Sequence, residues 1–169
     1  MKKLLLSLFV LFALACNVSA QDQAGKFSLA ANINYGTKIE SVGFGLRGQY
    51  GILERLRGSL EYKYYMDRRD VSAWGITADV HYLIGLSYKV ALYPIGGVTF
   101  SRWTADLGRT NVEGIQIDHK YSNNRMGANL GAGCQVELSE RTFVQIEAKE
   151  ALIKDYSQFV VSVGFMYQF

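Results

Sequence analysis

The stretch that decides the fold is Gln158-Phe159-Val160-Val161-Ser162-Val163-Gly164-Phe165-Met166-Tyr167-Gln168-Phe169. Phe159, Val161, Val163, Phe165, Tyr167 and Phe169 share one parity, while Gln158, Ser162, Gly164 and Gln168 share the other. A period of two belongs to a strand, because successive side chains on extended backbone point to opposite faces. A slip of one residue would exchange the two sets, so the pattern also specifies the register.

The same alternation recurs upstream. Leu29, Ala31, Ile33 and Tyr35 oppose Ser28, Asn32 and Asn34. Met126, Ala128, Leu130, Ala132, Cys134 and Val136 oppose Gly127, Asn129, Gln135 and Glu137. Eight runs can be marked, at 26 to 36, 41 to 50, 56 to 66, 73 to 84, 89 to 102, 124 to 138, 142 to 151 and 158 to 169. No stretch requires a helix. The runs near Pro94 and Phe143 break parity, which means either a bulge or a misjudged register there. Links at Gly51 to Arg55, Gly85 to Tyr88 and Ser139 to Arg141 read as short. Those at Thr37 to Glu40, Asp67 to Ser72 and Leu152 to Ser157 read as longer, and the one from Trp103 to Asn123 as the longest. Such an alternation predicts an all-β, eight-stranded antiparallel up-and-down transmembrane β-barrel, with short turns and both termini on the periplasmic side.

The first twenty residues stand apart. Lys2 and Lys3, an apolar run from Leu4 to Ala15 and the small residues Val18-Ser19-Ala20 read as a secretory signal at 1–20, leaving the barrel domain at 21–169. Removing the two lysines lowers the formal net charge of +3 by two, which argues against an electrostatic nucleic-acid partner. The apolar run is too short to anchor as a helix, which needs about 20 residues. Of the two cysteines only Cys134 lies beyond the signal, so no internal disulfide is expected there. Ala13-Leu14-Ala15-Cys16 is a loose match to a lipoprotein cleavage site, but it ranks below the small-residue site at Ala20. Cys134 itself reads as a small lipid-facing residue.

An alternating barrel could turn its apolar face to lipid or to a protein core, and the opposite face has to decide. That face carries Arg47, Arg57, Lys63, Lys149, Glu61, Asp79, Glu137 and Glu147, four charges of each sign suited to pairing inside a narrow lumen, with His81 among them. Aromatic residues fall near strand ends. Phe27, Tyr50, Tyr82, Tyr167 and Phe169 collect at one end, and Tyr35, Tyr64, Trp74, Trp103 and Phe159 at the other. Two girdles around a band of smaller apolar residues are the expected signature of a membrane barrel.

The terminal Val163-Gly164-Phe165-Met166-Tyr167-Gln168-Phe169 resembles the final strand of outer-membrane barrels, and Leu92-Tyr93-Pro94-Ile95-Gly96-Gly97-Val98 is similar to a segment of the outer membrane protein β-barrel domain family, common in the Bacteroidetes. Size and strand count are similar to OmpX- and OmpA-type barrels, without an added peptidoglycan-binding domain after Phe169. The resemblance covers essentially 25 to 169. It implies a Gram-negative outer-membrane location, contact with lipopolysaccharide, and recognition of Phe165, Tyr167 and Phe169 by the barrel-assembly machinery. It does not imply an activity, because function must come from a site.

Several constellations are candidates for a site. Asp79 and His81 lie two apart, hence on one face, and with Glu61 could hold a metal or move a proton, although a lone histidine among paired lumenal charges is more often part of the filling. Asp118, His119 and Ser122 invite a hydrolase reading, since lipid A deacylases of similar size use histidine, serine and a carboxylate. There the histidine and serine are two apart on a lipid-facing strand, whereas here they are three apart in the long link. That link, with Trp103, Arg109, His119 and Lys120, is a candidate surface for an extracellular partner or for lipopolysaccharide, and its alternation from Val112 to Ile117 suggests projecting strands. Arg68 and Arg69 could assist phosphate contact, with Asp67 and Asp70 beside them offsetting the charge. The leading expectation is therefore a non-enzymatic structural or surface-interaction barrel, with a small porin-like channel next and a lipid A-modifying enzyme third. Neither a cofactor nor a metal is expected.

Overall fold

The computed structural model describes residues 23–68, 71–112, 115–154 and 157–169, and for 68, 71, 105–112 and 115–121 the backbone alone. The secretory signal at 1–20, the lipoprotein motif at Cys16 and the pair Arg69 and Asp70 lie outside the described residues. The strands are β1 (Phe27–Gly36), β2 (Ser41–Gly51), β3 (Leu56–Arg68), β4 (Val71–Tyr82), β5 (Ile84–Ser87), β6 (Val90–Val112), β7 (Ile115–Ser139), β8 (Thr142–Ile153) and β9 (Gln158–Gln168). No helix occurs among the described residues.

Apart from β4 and β5, which both pair with β6, each strand pairs antiparallel with its sequence neighbour, and β1 pairs with β9. β4 and β5 are two pieces of one barrel strand, so the cylinder has eight strands and no free edge within it. The break falls at Leu83, opposite the Tyr93-Pro94 segment of β6, with His81 paired to Ile95 on one side and Ile84 to Leu92 on the other. Proline has no N–H to donate across a ladder, which accounts for a gap at this place. The shift expected near Phe143 is also present, between Glu137 and Ser139 of β7.

Burial alternates along the strands, as in β2 and β9, where every second residue is closed off inside the cylinder. The outward set is apolar: Leu29, Ile33, Leu46, Leu60, Val98, Leu130, Ile146 and Val163 are exposed. Strands of 10 to 11 residues such as β1, β2 and β9 match the length needed to cross a bilayer obliquely. Most of the expected girdle residues point outward, among them Phe27, Tyr50, Tyr82, Tyr167 and Phe169 at the end that holds the termini, here the terminal end. Tyr35, Tyr64 and Phe159 do so at the opposite, hairpin end, where Glu150 is also exposed beside Phe159.

Connection lengths differ from expectation. The span from Trp103 to Asn123, read as the longest link, is the distal part of two strands, as its alternation suggested, with β6 and β7 paired as far as Val112 and Ile115. The ladder of β4 on β6 ends at Val71 and Ala105, and that of β8 on β7 at Ile153 and Gly127. Beyond those pairs the two strands continue as a ribbon, for roughly 20 Å counted from Asp106. The asymmetry of the molecule thus lies in the reach of one hairpin and not in loop length.

Candidate functional site: the filled lumen

The inward parity of the strands brings the charged residues together at mid-barrel. Arg47 on β2 and Glu61 on β3 are registered neighbours, and Arg47 Nη2 donates to Glu61 Oε2 at 3.0 Å. Across the lumen Arg47 grips Glu147 of β8 with both ends of its guanidinium, Nη1 to Oε1 and Nη2 to Oε2, the latter at 2.7 Å. A planar fork matched to a carboxylate gives direction as well as attraction, which ties opposite walls of the cylinder together. Lys149 lies 2.9 Å from Asp79, 3.5 Å from Glu147 and 3.6 Å from Glu61, and Lys63 is 3.6 Å from Glu61. Amides complete the set: Asn32 donates to Glu61 at 2.9 Å and Asn129 to Asp79 at 2.8 Å.

Towards the terminal end lies a second layer. Arg57 donates to Gln135 at 2.8 Å and stands 5.2 Å from the centre of the Tyr93 ring. Tyr93 stacks on His81 with ring centres 4.9 Å apart, and its hydroxyl donates to Glu147 at 3.0 Å, linking this layer to the one above. Space for the ring comes from its cross-strand partner: a Cβ at Gly133 would run into Tyr93. Similarly, a Cβ at Gly97 would strike Asp79 and the Ala78 carbonyl. Below, Phe143 and Met166 pack on Ala30, with Gln145 bonded to both Gln49 and Gln135. At the hairpin end Ile39, Tyr65, Ala73 and Trp103 form an apolar roof.

The family of outer membrane protein beta-barrel domains matches residues 6–169. The chain belongs to that family. Solved barrels of this kind share its fold. The N-terminal β-barrel domain of Pseudomonas aeruginosa OprF is 16% identical with a TM-score of 0.71, over 86% of this chain and 98% of that one. Ail, the attachment invasion locus protein of Yersinia pestis, is 13% identical with a TM-score of 0.60, over 86% and 99%. Neisserial surface protein A is 17% identical with a TM-score of 0.59, over 85% and 95%. No curated protein matches the chain in sequence.

In this outer-membrane barrel, Arg47, Arg57, Glu61, Lys63, Asp79, His81, Glu147 and Lys149 are all less than a tenth exposed inside the cylinder. Glu137 is half-buried near the terminal end of β7, where the ladder shifts. Asp79 and His81 share a face but turn to different partners, Asp79 to Lys149 and Asn129, His81 to Arg57 and Ser59. No group of three metal-ligating side chains occurs among the described residues. Phe165, Tyr167 and Phe169 are outward, with Phe169 edge-on to Tyr167 and stacked with Phe27.

Trp103 requires a correction. Expected as an outward girdle residue and a surface contact, it is 7% exposed and faces the lumen, its indole N–H donating to Ser101 at 3.2 Å. The physical reason is parity: β6 runs unbroken through this region, so Trp103 shares the inward face with Thr99 and Ser101. The side chains of Arg109, Asp118, His119 and Lys120 lie outside the described residues, while the Ser122 hydroxyl meets that of Thr104 at 3.3 Å. Sequence reasoning missed Tyr93, Phe143 and Met166 as lumen-filling residues. The pairing of Tyr93 with Gly133 was the available signal, but it becomes visible only once the register is known.

Proposed function

We propose that this protein is a non-conducting outer-membrane barrel that serves as an anchor and presents the β6–β7 ribbon at the cell surface. The observation that carries the reading is Arg47, 2% exposed and bonded to both Glu61 and Glu147, which bars the middle of the lumen with charges from opposite walls. Eight strands enclose a space that side chains can fill, and here they fill it in successive layers. In this reading the secretory signal is removed after Ala20 and the termini lie in the periplasm. The assembly machinery recognises Phe165, Tyr167 and Phe169, and the girdles meet phospholipid on one side and lipopolysaccharide on the other. Among the described residues, the ribbon beyond Ala105 and Gly127 has backbone edges unpaired by β4 or β8, which suits recognition of an extended chain by strand addition. Catalysis is not part of the proposal.

Planar-bilayer recording of the purified barrel tests it. The expected result is the absence of steady openings. Steady openings that disappear on mutating Glu61 or Lys63 would establish the small porin-like channel instead. Orientation is tested by proteolysis of intact cells carrying a protease site inserted between Val112 and Ile115. Cleavage from outside is expected, whereas protection would place the ribbon in the periplasm.

A further inference from the structure

Between the ion-pair layer and the apolar roof lies a cavity of about 20 Å³. Such a volume holds about one water-sized species. Its charged lining residues are Lys63 and Lys149, and no carboxylate is among the lining residues. The carboxylates that neutralise these lysines, Glu61, Asp79 and Glu147, sit behind the cavity wall. Lys63 Nζ is 3.6 Å from Glu61, beyond hydrogen-bond length, so its hydrogens have room for another acceptor.

Two further lining side chains are buried with a polar atom that has no hydrogen-bond partner among the described residues: the Tyr65 hydroxyl, in a residue 4% exposed, and the Gln158 carbonyl, in a residue 8% exposed. An unmade bond at a buried polar group costs about 1 to 3 kcal/mol, so such groups are rarely left idle. Ser101, which accepts from Trp103, keeps its own hydroxyl hydrogen for donation. A half-turn of the Gln158 amide presents its NH2 in place of its oxygen. The donors around the cavity are therefore an ammonium, a phenol, an alcohol and an available amide.

We propose that this cavity binds one small monovalent anion of about chloride's size, held by Lys63, Tyr65 and Ser101 beneath the lid formed by Ile39 and Trp103. The two ammonium groups lining the cavity favour an anion over a cation, and the volume suits a single small ion. The lid is local: Ile39 belongs to the turn between β1 and β2, where Glu40 takes a positive φ of 50°.

The test uses the refolded full chain in detergent micelles. Its thermal midpoint is followed as chloride or bromide replaces gluconate at constant ionic strength and pH, and crystals soaked in bromide are examined for anomalous scattering. The midpoint should rise saturably with either halide. One bromide peak should lie within hydrogen-bond distance of Lys63 Nζ and the Tyr65 hydroxyl. Tyr65→Phe keeps the ring that packs on Ile39 and Trp103, and should weaken halide binding about tenfold while the barrel still folds. The proposal is overturned by a cavity holding only water in bromide-soaked crystals, by a midpoint indifferent to the anion, or by unchanged halide dependence in folded Tyr65→Phe.

Discussion

Leu46 and Arg47 are adjacent on β2, yet Leu46 is 71% exposed and Arg47 is 2% exposed. One side of the barrel wall meets acyl chains and the other an interior whose middle is charged and polar, so the usual rule of apolar inside and polar outside is inverted along strands such as β2. The difference teaches where stability resides. Lipid is about as apolar as leucine, so outward side chains gain little from any particular neighbour. Inward side chains are locked by partners on the opposite wall, and each loss leaves another group unpaired.

The largest expected effect comes from breaking that lock. Arg47→Ala leaves Glu147 without its bidentate partner in a dry lumen, and should cost about 3 to 5 kcal/mol. Urea titration of the barrel in lipid vesicles, read by folded and unfolded gel mobility, measures this loss. A cost below 1 kcal/mol would mean that water enters freely and screens the carboxylates. The converse error, a charge on the lipid side, is slightly smaller: Leu46→Arg, midway along β2, should cost about 2 to 4 kcal/mol by the same titration. If Leu46→Arg proved harmless, that face would not meet acyl chains.

A subtler break concerns shape. Gly133→Ala pushes a methyl group into the Tyr93 ring and should cost about 1 to 3 kcal/mol. Combining it with Tyr93→Leu should give less than the sum of the two single effects, because the smaller side chain vacates the contested space. Simple additivity would show that the two residues do not interact. The smallest effect sharpens the contrast: Leu46→Ala, at the same site as the damaging arginine, should stay within about 0.5 kcal/mol of the parent.

How much was legible beforehand follows the same division. In Gln158 to Phe169 the alternation shows both faces, because each outward residue is large and apolar while Gln158, Ser162, Gly164 and Gln168 mark the inward face, even though Val160 and Met166 share it. Near Phe143 the signal fails, since that aromatic belongs to the inward set and packs on Met166 and Ala30. Trp103 misled for the opposite reason. An aromatic near a strand end looks like a girdle residue unless the strand is known to continue, and β6 runs on to Val112. Charged residues of the lumen could be named from parity, but their partners could not: Arg47 and Glu147 are a hundred positions apart, and only closure of the cylinder places them face to face.

The amino-acid sequence by itself determined the strand period and which face is apolar, because these depend only on local alternation, and the charges on the opposite face with aromatics near strand ends turned that greasy side to lipid. Tertiary structure alone decided which charge meets which, that Tyr93 occupies the space of Gly133, and that Lys63, Tyr65 and Gln158 converge on one cavity. Those are properties of register and curvature, set by how eight strands close on one another and invisible to any single stretch of chain.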